Sequence, residues 1–127
     1  VDGGDAAAAS LIEANPELTA IFASNDLLAF GASQALMDHE LRIPQDVSLI
    51  GITDIQLAHQ MRPALTTVAI RIEDIATISV NLLLDLIENP QHQPTLVYAP
   101  EPQLVIRSST GRVRRTTRPR KLAATAS

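Results

Sequence analysis

Short apolar runs alternate with alanine-rich amphipathic segments along the first half of the chain. The predicted elements are a helix at residues 5–14, a strand at 19–23, a helix at 27–39 and a strand at 47–52. Asn15-Pro16 ends the first helix because the residue before a proline avoids the helical region. Ser24-Asn25-Asp26 supplies capping side chains for the second helix. The order α-β-α-β, with strands that read as buried on both faces, predicts a parallel sheet in an α/β fold.

The second half of the chain places one long helix between short strands. The predicted elements are a strand at residues 65–70, a helix at 73–88 and strands at 96–98 and 103–107. Glu73 and Asp74 lie in the first turn of this helix, where acidic side chains complement the positive end of the helix dipole. Asn89-Pro90 marks its end.

The helix at residues 27–39 is apolar on two sides. One stripe, suited to packing on a sheet, consists of Leu28, Ala32, Ala35 and Leu36. The second stripe consists of Leu27, Phe30 and Met37, with Gln34 interrupting it. A surface helix needs only one such stripe, so the second contacts either another part of the same domain or a second subunit.

The composition indicates one modest globular domain without a membrane-spanning segment. The 127 residues are 46% hydrophobic and include no cysteine, which excludes disulfides and thiolate metal sites. No apolar run approaches the roughly 20 residues needed to cross a bilayer. The chain starts with Val rather than Met and lacks the basic and apolar regions of a signal peptide. We therefore expect a fragment of a larger protein that is cytoplasmic.

The formal net charge of -4 conceals a basic C-terminal segment. The basic residues after Gly111 are Arg112, Arg114, Arg115, Arg118, Arg120 and Lys121. We predict a folded domain at residues 1–110 and a solvated, disordered basic tail at residues 111–127. Because the remaining body is acidic and repels phosphate, only this tail could attract nucleic acid, and only without sequence specificity.

Polar residues follow both predicted strands of the first half. Asn25-Asp26 comes after the first strand, and Thr53-Asp54 comes after the second. Ligands of open parallel sheets bind outside the carboxyl ends of the strands, so these residues should converge at one edge. An amide beside carboxylates suits a polyhydroxylated or heterocyclic small molecule. The alternative is that these residues only cap helices.

The chain carries no recognisable catalytic or metal-binding motif. His39, His59 and His92 lack the spacing of a metal site. The sequence also lacks a nucleophile elbow, a phosphate-binding loop and a dinucleotide fingerprint. We therefore expect neither enzymatic activity nor a metal or other cofactor.

Four motifs in order resemble lactose/galactose-repressor-type transcription regulators. Residues 19–32 (TAIFASNDLLAFGA) resemble that family's "TAIFAxND..AxGA", and residues 41–51 (LRIPQDVSLIG) resemble its "LRVPxDVSVVG". Residues 63–68 (PALTTV) are similar to "PxLTTV", and residues 107–110 (RSST) to the terminal "RxST". The resemblance spans nearly all of residues 1–110.

The resemblance implies a partial periplasmic-binding-protein-like (type I) fold: most of the C-terminal lobe, plus one strand and helix that cross to the other lobe. It implies that Asn25 contacts an effector in the cleft between the lobes. The family's "GFDD" corresponds to residues 51–54, so Thr53 occupies the place of the first, ligand-binding Asp. A hydroxyl cannot supply a charge-assisted acceptor pair, which leaves Asp54 as a partial substitute.

The resemblance also implies a homodimer and an N-terminal helix-turn-helix that reads operator DNA; this chain contains no such segment. The dimer surface that it implies consists of Leu27, Phe30, Gln34, Met37, Leu57 and Met61. Three of the family's glycines are replaced, by Glu40, Ala76 and Ser108. A left-handed backbone at Glu40 would cost about 1 kcal/mol.

The long helix at residues 73–88 belongs mainly to the other lobe in this interpretation. Its apolar face of Val80, Leu83, Leu84 and Ile87 then lacks a full partner, which predicts marginal stability or self-association for the chain alone. The function predicted is effector binding and dimerisation for a bacterial transcriptional regulator that binds a sugar-like or nucleoside-like molecule. The alternatives are a periplasmic sugar-binding protein of a transport system and a non-functional fragment.

Overall fold

A computed structural model describes residues 1–93 and 96–113 of the chain. Its helices are α1 (Asp2–Ala14), α2 (Asp26–Asp38), α3 (Gln56–Gln60) and α4 (Ile72–Glu88). Its strands are β1 (Ala20–Phe22), β2 (Ser48–Thr53), β3 (Thr66–Ala69) and β4 (Gln103–Val105). The sheet has the order β1-β2-β3-β4, in which β1, β2 and β3 are parallel and β4 is antiparallel to β3. The parallel α/β architecture predicted from the sequence is confirmed.

Two elements differ from the sequence prediction. The strand predicted at residues 96–98 is wrong, because this segment has no regular secondary structure. Leu96 is 76% exposed and Tyr98 is 83% exposed, and no strand of the described residues pairs with this segment. The short helix α3 was not predicted, since five residues are too few to show helical periodicity.

Helices α1 and α2 pack very closely against each other. A Cβ atom added at Gly31 would lie 2.2 Å from the carbonyl oxygen of Val1, and one added at Gly4 would lie 2.4 Å from that of Leu28. Only glycine permits this approach of the two backbones. The contact brings Ala8 and Ile12 of α1 into the core, where both are buried.

The sheet has one covered and one open face. Side chains alternate along β2, so that Leu49 and Gly51 are buried on the side of α2 while Ile50 and Ile52 point the other way. On the same open face, the register pairs Phe22 with Ile50, and Phe22 is 62% exposed. An apolar sheet face in a parallel α/β protein requires a second layer, which the described residues do not provide.

Helix α4 has no buried residue. The exposed fractions along its predicted apolar face are 54% for Val80, 57% for Leu83, 49% for Leu84 and 64% for Ile87. The sequence prediction that this face lacks a full partner is therefore confirmed for the described part of the chain. Within the same part, no helix is long and apolar enough to span a membrane.

The turn after α2 has the left-handed backbone for which the sequence analysis gave a cost. Glu40 has φ 56°, the left-handed conformation that favours glycine. From residue 114 onward, the predicted basic tail lies outside the described residues.

Candidate functional site

The candidate ligand residues lie at the carboxyl edge of the parallel strands. Asn25 follows β1 by three positions, Thr53 is the last residue of β2, and Asp54 comes next. Thr53 is in register with Ala69, the last residue of β3, so the three strands end at the same edge. This edge is where open parallel sheets bind their ligands.

Asn25 is held in one orientation by the start of α2. Its backbone is extended (φ -158°, ψ 168°), and its Oδ1 accepts a hydrogen bond of 2.8 Å from the backbone N–H of Leu28. Asn25 is therefore the N-cap of α2, which is the role that the sequence analysis gave as the alternative to ligand binding. Because Oδ1 is committed to the helix, the side-chain NH₂ must point the other way, and it has no partner among the described residues. One side chain can thus cap the helix and donate to a ligand.

Asp26 is fully buried and joins three segments of the chain. Its side chain is 0% exposed. Oδ1 accepts a 2.6 Å hydrogen bond from the Thr67 hydroxyl of β3. Oδ2 accepts hydrogen bonds from the Ile55 N–H at 2.9 Å and from the Thr53 hydroxyl at 3.4 Å. These donors offset the cost of burying a carboxylate.

The absence of a side chain at Gly51 makes room for this carboxylate. A Cβ atom at Gly51 would lie 2.3 Å from Oδ1 of Asp26 and 3.0 Å from a methyl carbon of Leu65. Gly51 is buried in β2 directly opposite Thr67 of β3, the residue that donates to the same oxygen. Gly51 therefore leaves free the space that the Asp26 carboxylate needs beside β2.

The loop after β2 has a strained backbone. Thr53 has φ 115° and Asp54 has φ 58°, whereas β-branched residues almost never adopt positive φ. Such strain costs on the order of 1–3 kcal/mol, and it persists only where surrounding contacts fix it. Here the hydrogen bonds from Thr53 and Ile55 to Asp26 are those contacts.

Asp54 forms an ion pair with Arg107, which lies two residues after β4. Nη2 of Arg107 is 2.6 Å from Oδ1 of Asp54. Nη1 donates to the carbonyl oxygen of Leu65 at 2.8 Å, and the backbone N–H of Arg107 donates to the Thr66 hydroxyl at 2.9 Å. Nε2 of His59 lies 3.0 Å from Nη2 and 3.4 Å from the same Asp54 oxygen. The arginine is 12% exposed and the aspartate 20%.

The structure brings together the two polar pairs that the sequence placed at one edge. Asp26, the neighbour of Asn25, bonds directly to the hydroxyl of Thr53 and to the backbone just after Asp54. Sequence reasoning missed two parts of this site: the bridging role of Asp26 and the salt bridge of Arg107. The available signal was a lone arginine directly after the apolar run at residues 104–106.

The residues predicted for a dimer surface differ in exposure. Leu27 is 48% exposed and Met37 is 62% exposed, while Phe30 and Gln34 are half-buried. Leu57 is partly buried against the core. Met61 is only 7% exposed, so the chain's own core already covers its side chain.

The three histidines each have a partner within the chain. Nδ1 of His39 lies 2.8 Å from the carbonyl oxygen of Ala35, and Nδ1 of His92 lies 2.9 Å from Asp85. His59 contacts the pair of Asp54 and Arg107 described above. In residues 1–93 and 96–113, no group of three or more His, Asp or Glu side chains could hold a metal ion.

Comparison with known proteins identifies the relatives of this fold. The family model of the periplasmic binding protein-like domain matches residues 2–110. The Ribose operon repressor of Haemophilus influenzae is 38% identical over 109 residues, covering 85% of this chain and 32% of the repressor. The HTH-type transcriptional regulator GalS of Salmonella typhimurium is 39% identical over 104 residues, covering 76% of this chain and 31% of the regulator. The chain thus spans about a third of the length of these relatives.

Solved structures of transcriptional regulators also resemble this chain. A LacI family transcriptional regulator from Enterococcus faecium with bound ribose superposes with a TM-score of 0.80 at 34% identity, covering 89% of this chain and 41% of that one. The complex of the transcriptional regulator CelR with cellobiose superposes with a TM-score of 0.81 at 30% identity, covering 85% of this chain and 33% of that one.

Proposed function

The chain belongs to the family of periplasmic binding protein-like domains, in the form found in lactose/galactose-repressor-type regulators, and we propose that it binds the effector and forms the dimer of such a regulator. The observation that carries the proposal is the carboxyl edge of the sheet. There Asn25 is fixed as a donor, and the strained loop at Thr53 and Asp54 is tied to the same helix start. Strain held at a strand end is typical of ligand sites.

The proposed effector is a polyhydroxylated or heterocyclic small molecule. The Asn25 amide donates, while the Thr53 hydroxyl and the Asp54 carboxylate accept, so the site can match the hydroxyl groups of a sugar or nucleoside. Solved relatives contain bound ribose and cellobiose, which supports a ligand of this kind. Among the described residues of the site, no nucleophile has a partnered base, and we assign no catalytic step to it.

The proposed homodimer uses the outer stripe of α2. Leu27 and Met37 are each about half-exposed, and Phe30 and Gln34 lie between them. Leu57, which packs partly against the core, and Met61, which is buried in it, belong to the same proposed surface. Operator DNA would be read by a helix-turn-helix outside this chain, so a cytoplasmic location follows from the proposal.

A direct test measures ligand binding and DNA binding on the full-length protein encoded by the gene. Isothermal titration with neutral pentoses, hexoses, disaccharides and nucleosides should find one ligand that also changes the affinity for DNA from the promoter region of the gene. Ligand binding without any effect on DNA would instead favour a transport protein. No binding by any of these compounds, and no specific DNA complex, would contradict the proposal.

A further inference from the structure

We propose that the candidate site at the carboxyl edge of the sheet accepts an uncharged ligand and rejects charged analogues of that ligand. The inference rests on the effector-binding function proposed above. Four ionisable groups lie at the site, those of Asp26, Asp54, Arg107 and His59, and each contacts another group of the chain. Asp54 leaves Oδ2 for a ligand hydroxyl, but Arg107 already balances the charge of this carboxylate. The groups of Asn25 and Thr53 that face a ligand are neutral, so no uncompensated charge meets it.

Arg107 offers no free positive charge to an anionic ligand. Its Nη2 pairs with Asp54 at 2.6 Å, and its Nη1 donates to the Leu65 carbonyl oxygen at 2.8 Å. Turning this guanidinium toward a phosphate or carboxylate would break both contacts and leave Asp54 without its counter-charge. A partly buried carboxylate stripped of its partner is strongly unfavourable. The folded part of the chain also repels anions, since all 14 acidic residues precede residue 102 while half of the 10 basic residues follow residue 113.

The acidic groups offer equally little to a cationic ligand. Asp26 is 0% exposed and accepts hydrogen bonds from Thr67, Ile55 and Thr53. It also lies in the first turn of α2, where the helix dipole compensates its charge. An ammonium group approaching Asp54 would lie beside the Arg107 guanidinium, and the two like charges would repel each other.

Neutral hydrogen bonds therefore carry recognition at this edge. Asn25 presents the N–H groups of its side-chain amide, and Thr53 presents the oxygen of a hydroxyl whose proton points to Asp26. A ligand with hydroxyl, ether or ring-nitrogen groups satisfies both. A charge brought into this position would lose its water and gain no counter-charge, so its binding should be at least about tenfold weaker.

The test compares matched probes on the full-length protein by isothermal titration. The sets are glucose, glucosamine and glucose 6-phosphate; galactose, galactosamine and galactose 6-phosphate; ribose and ribose 5-phosphate; adenosine and adenosine monophosphate. The neutral member should bind at least about tenfold more tightly than the charged members of its set. Preferential binding of any charged member would overturn this inference while leaving the effector-binding function intact. No binding by any of these probes or by the disaccharides of the wider titration, together with no specific DNA complex, would overturn both.

Two substitutions of Thr53 separate the effect of charge on ligand selectivity from the effect of side-chain size. Thr53→Asp adds a carboxylate at this edge, and Thr53→Asn adds a neutral side chain of the same size; both residue types tolerate positive φ better than threonine. Thr53→Asp should raise the affinity for the amino derivative relative to the neutral sugar by about tenfold, whereas Thr53→Asn should leave that ratio unchanged. If the affinity for the amino derivative relative to the neutral sugar were equal in the two variants, charge at this edge of the sheet would not determine selectivity.

Discussion

Nη2 of Arg107 lies 2.6 Å from Oδ1 of Asp54, so that a residue beyond the last strand fixes the loop that follows β2. The two residues are 53 positions apart in the sequence, and neither side chain is more than 20% exposed. The shape of the candidate ligand edge therefore depends on the C-terminal segment of the described chain as well as on the strands that form the edge.

Replacing Arg107 by methionine should lower the free energy of unfolding by about 1–3 kcal/mol, because Asp54 would remain partly buried without its counter-charge. The matched control is Arg71→Met. Arg71 pairs with Asp74 on the surface of α4, with exposed fractions of 62% and 38%, and its loss should cost at most about 0.5 kcal/mol. Urea denaturation of both variants measures the difference. Equal losses would show that the Asp54 pair is only a surface contact.

Asp26→Asn should destabilise the protein by about 2–3 kcal/mol although it hardly changes the size of the side chain. The new NH₂ group would face a donor, either the Thr67 hydroxyl or the Ile55 N–H, where the carboxylate accepts from both. Asp38→Asn serves as the control on the same helix, since Asp38 is exposed in the last turn of α2. Removing its negative charge there should be neutral or slightly stabilising. A similar denaturation midpoint for the two variants would contradict the role given to Asp26.

Apart from α3 and the wrong strand at residues 96–98, the sequence predicted the order of strands and helices in the described residues, because short apolar runs and capping residues mark these elements locally. It also predicted that residues 25–26 and 53–54 lie at one edge of the sheet, since parallel strands end together. It could not predict that Asp26 accepts from Thr67, or that Arg107 pairs with Asp54, because these contacts join residues 41 and 53 positions apart. No periodic pattern in the sequence signals either contact, because each depends on how the helices and strands pack together.

Gly31→Ala should be among the most damaging single substitutions in the chain. Its Cβ would overlap the backbone of α1, 2.2 Å from the Val1 carbonyl oxygen and 2.7 Å from the Asp5 nitrogen, so the two helices would have to separate. A loss of about 2–4 kcal/mol is expected for such overpacking against backbone. Gly3→Ala is the control: nothing lies within 4 Å of its added Cβ, and alanine favours a helix, so a gain of about 0.5 kcal/mol is expected. Thermal denaturation that failed to separate the two variants would rule out the close packing of α1 on α2.

Asn25 should respond differently to two substitutions, because we propose that it donates to a ligand in addition to capping α2. Asn25→Asp keeps an oxygen acceptor for the Leu28 N–H and should leave stability within about 0.5 kcal/mol, but it removes the N–H donors. Asn25→Ala removes both functions and should cost about 1 kcal/mol of stability. Both variants should weaken binding of the effector by about tenfold or more in isothermal titration. Unchanged affinity in Asn25→Asp would show that the residue is a cap alone.

The apolar face of α4 should make the 127-residue chain self-associate when it is produced alone. Val80, Leu83, Leu84 and Ile87 are each about half-exposed or more, and such a patch is stable in water only when another surface covers it. Leu83→Lys should therefore shift the chain toward monomer in sedimentation velocity experiments. Asn81→Lys adds the same charge at an exposed polar position of the same helix and should leave the association unchanged. A monomeric chain with a sharp thermal transition at high temperature would contradict the prediction, because it would show that the fold is stable with this face in water.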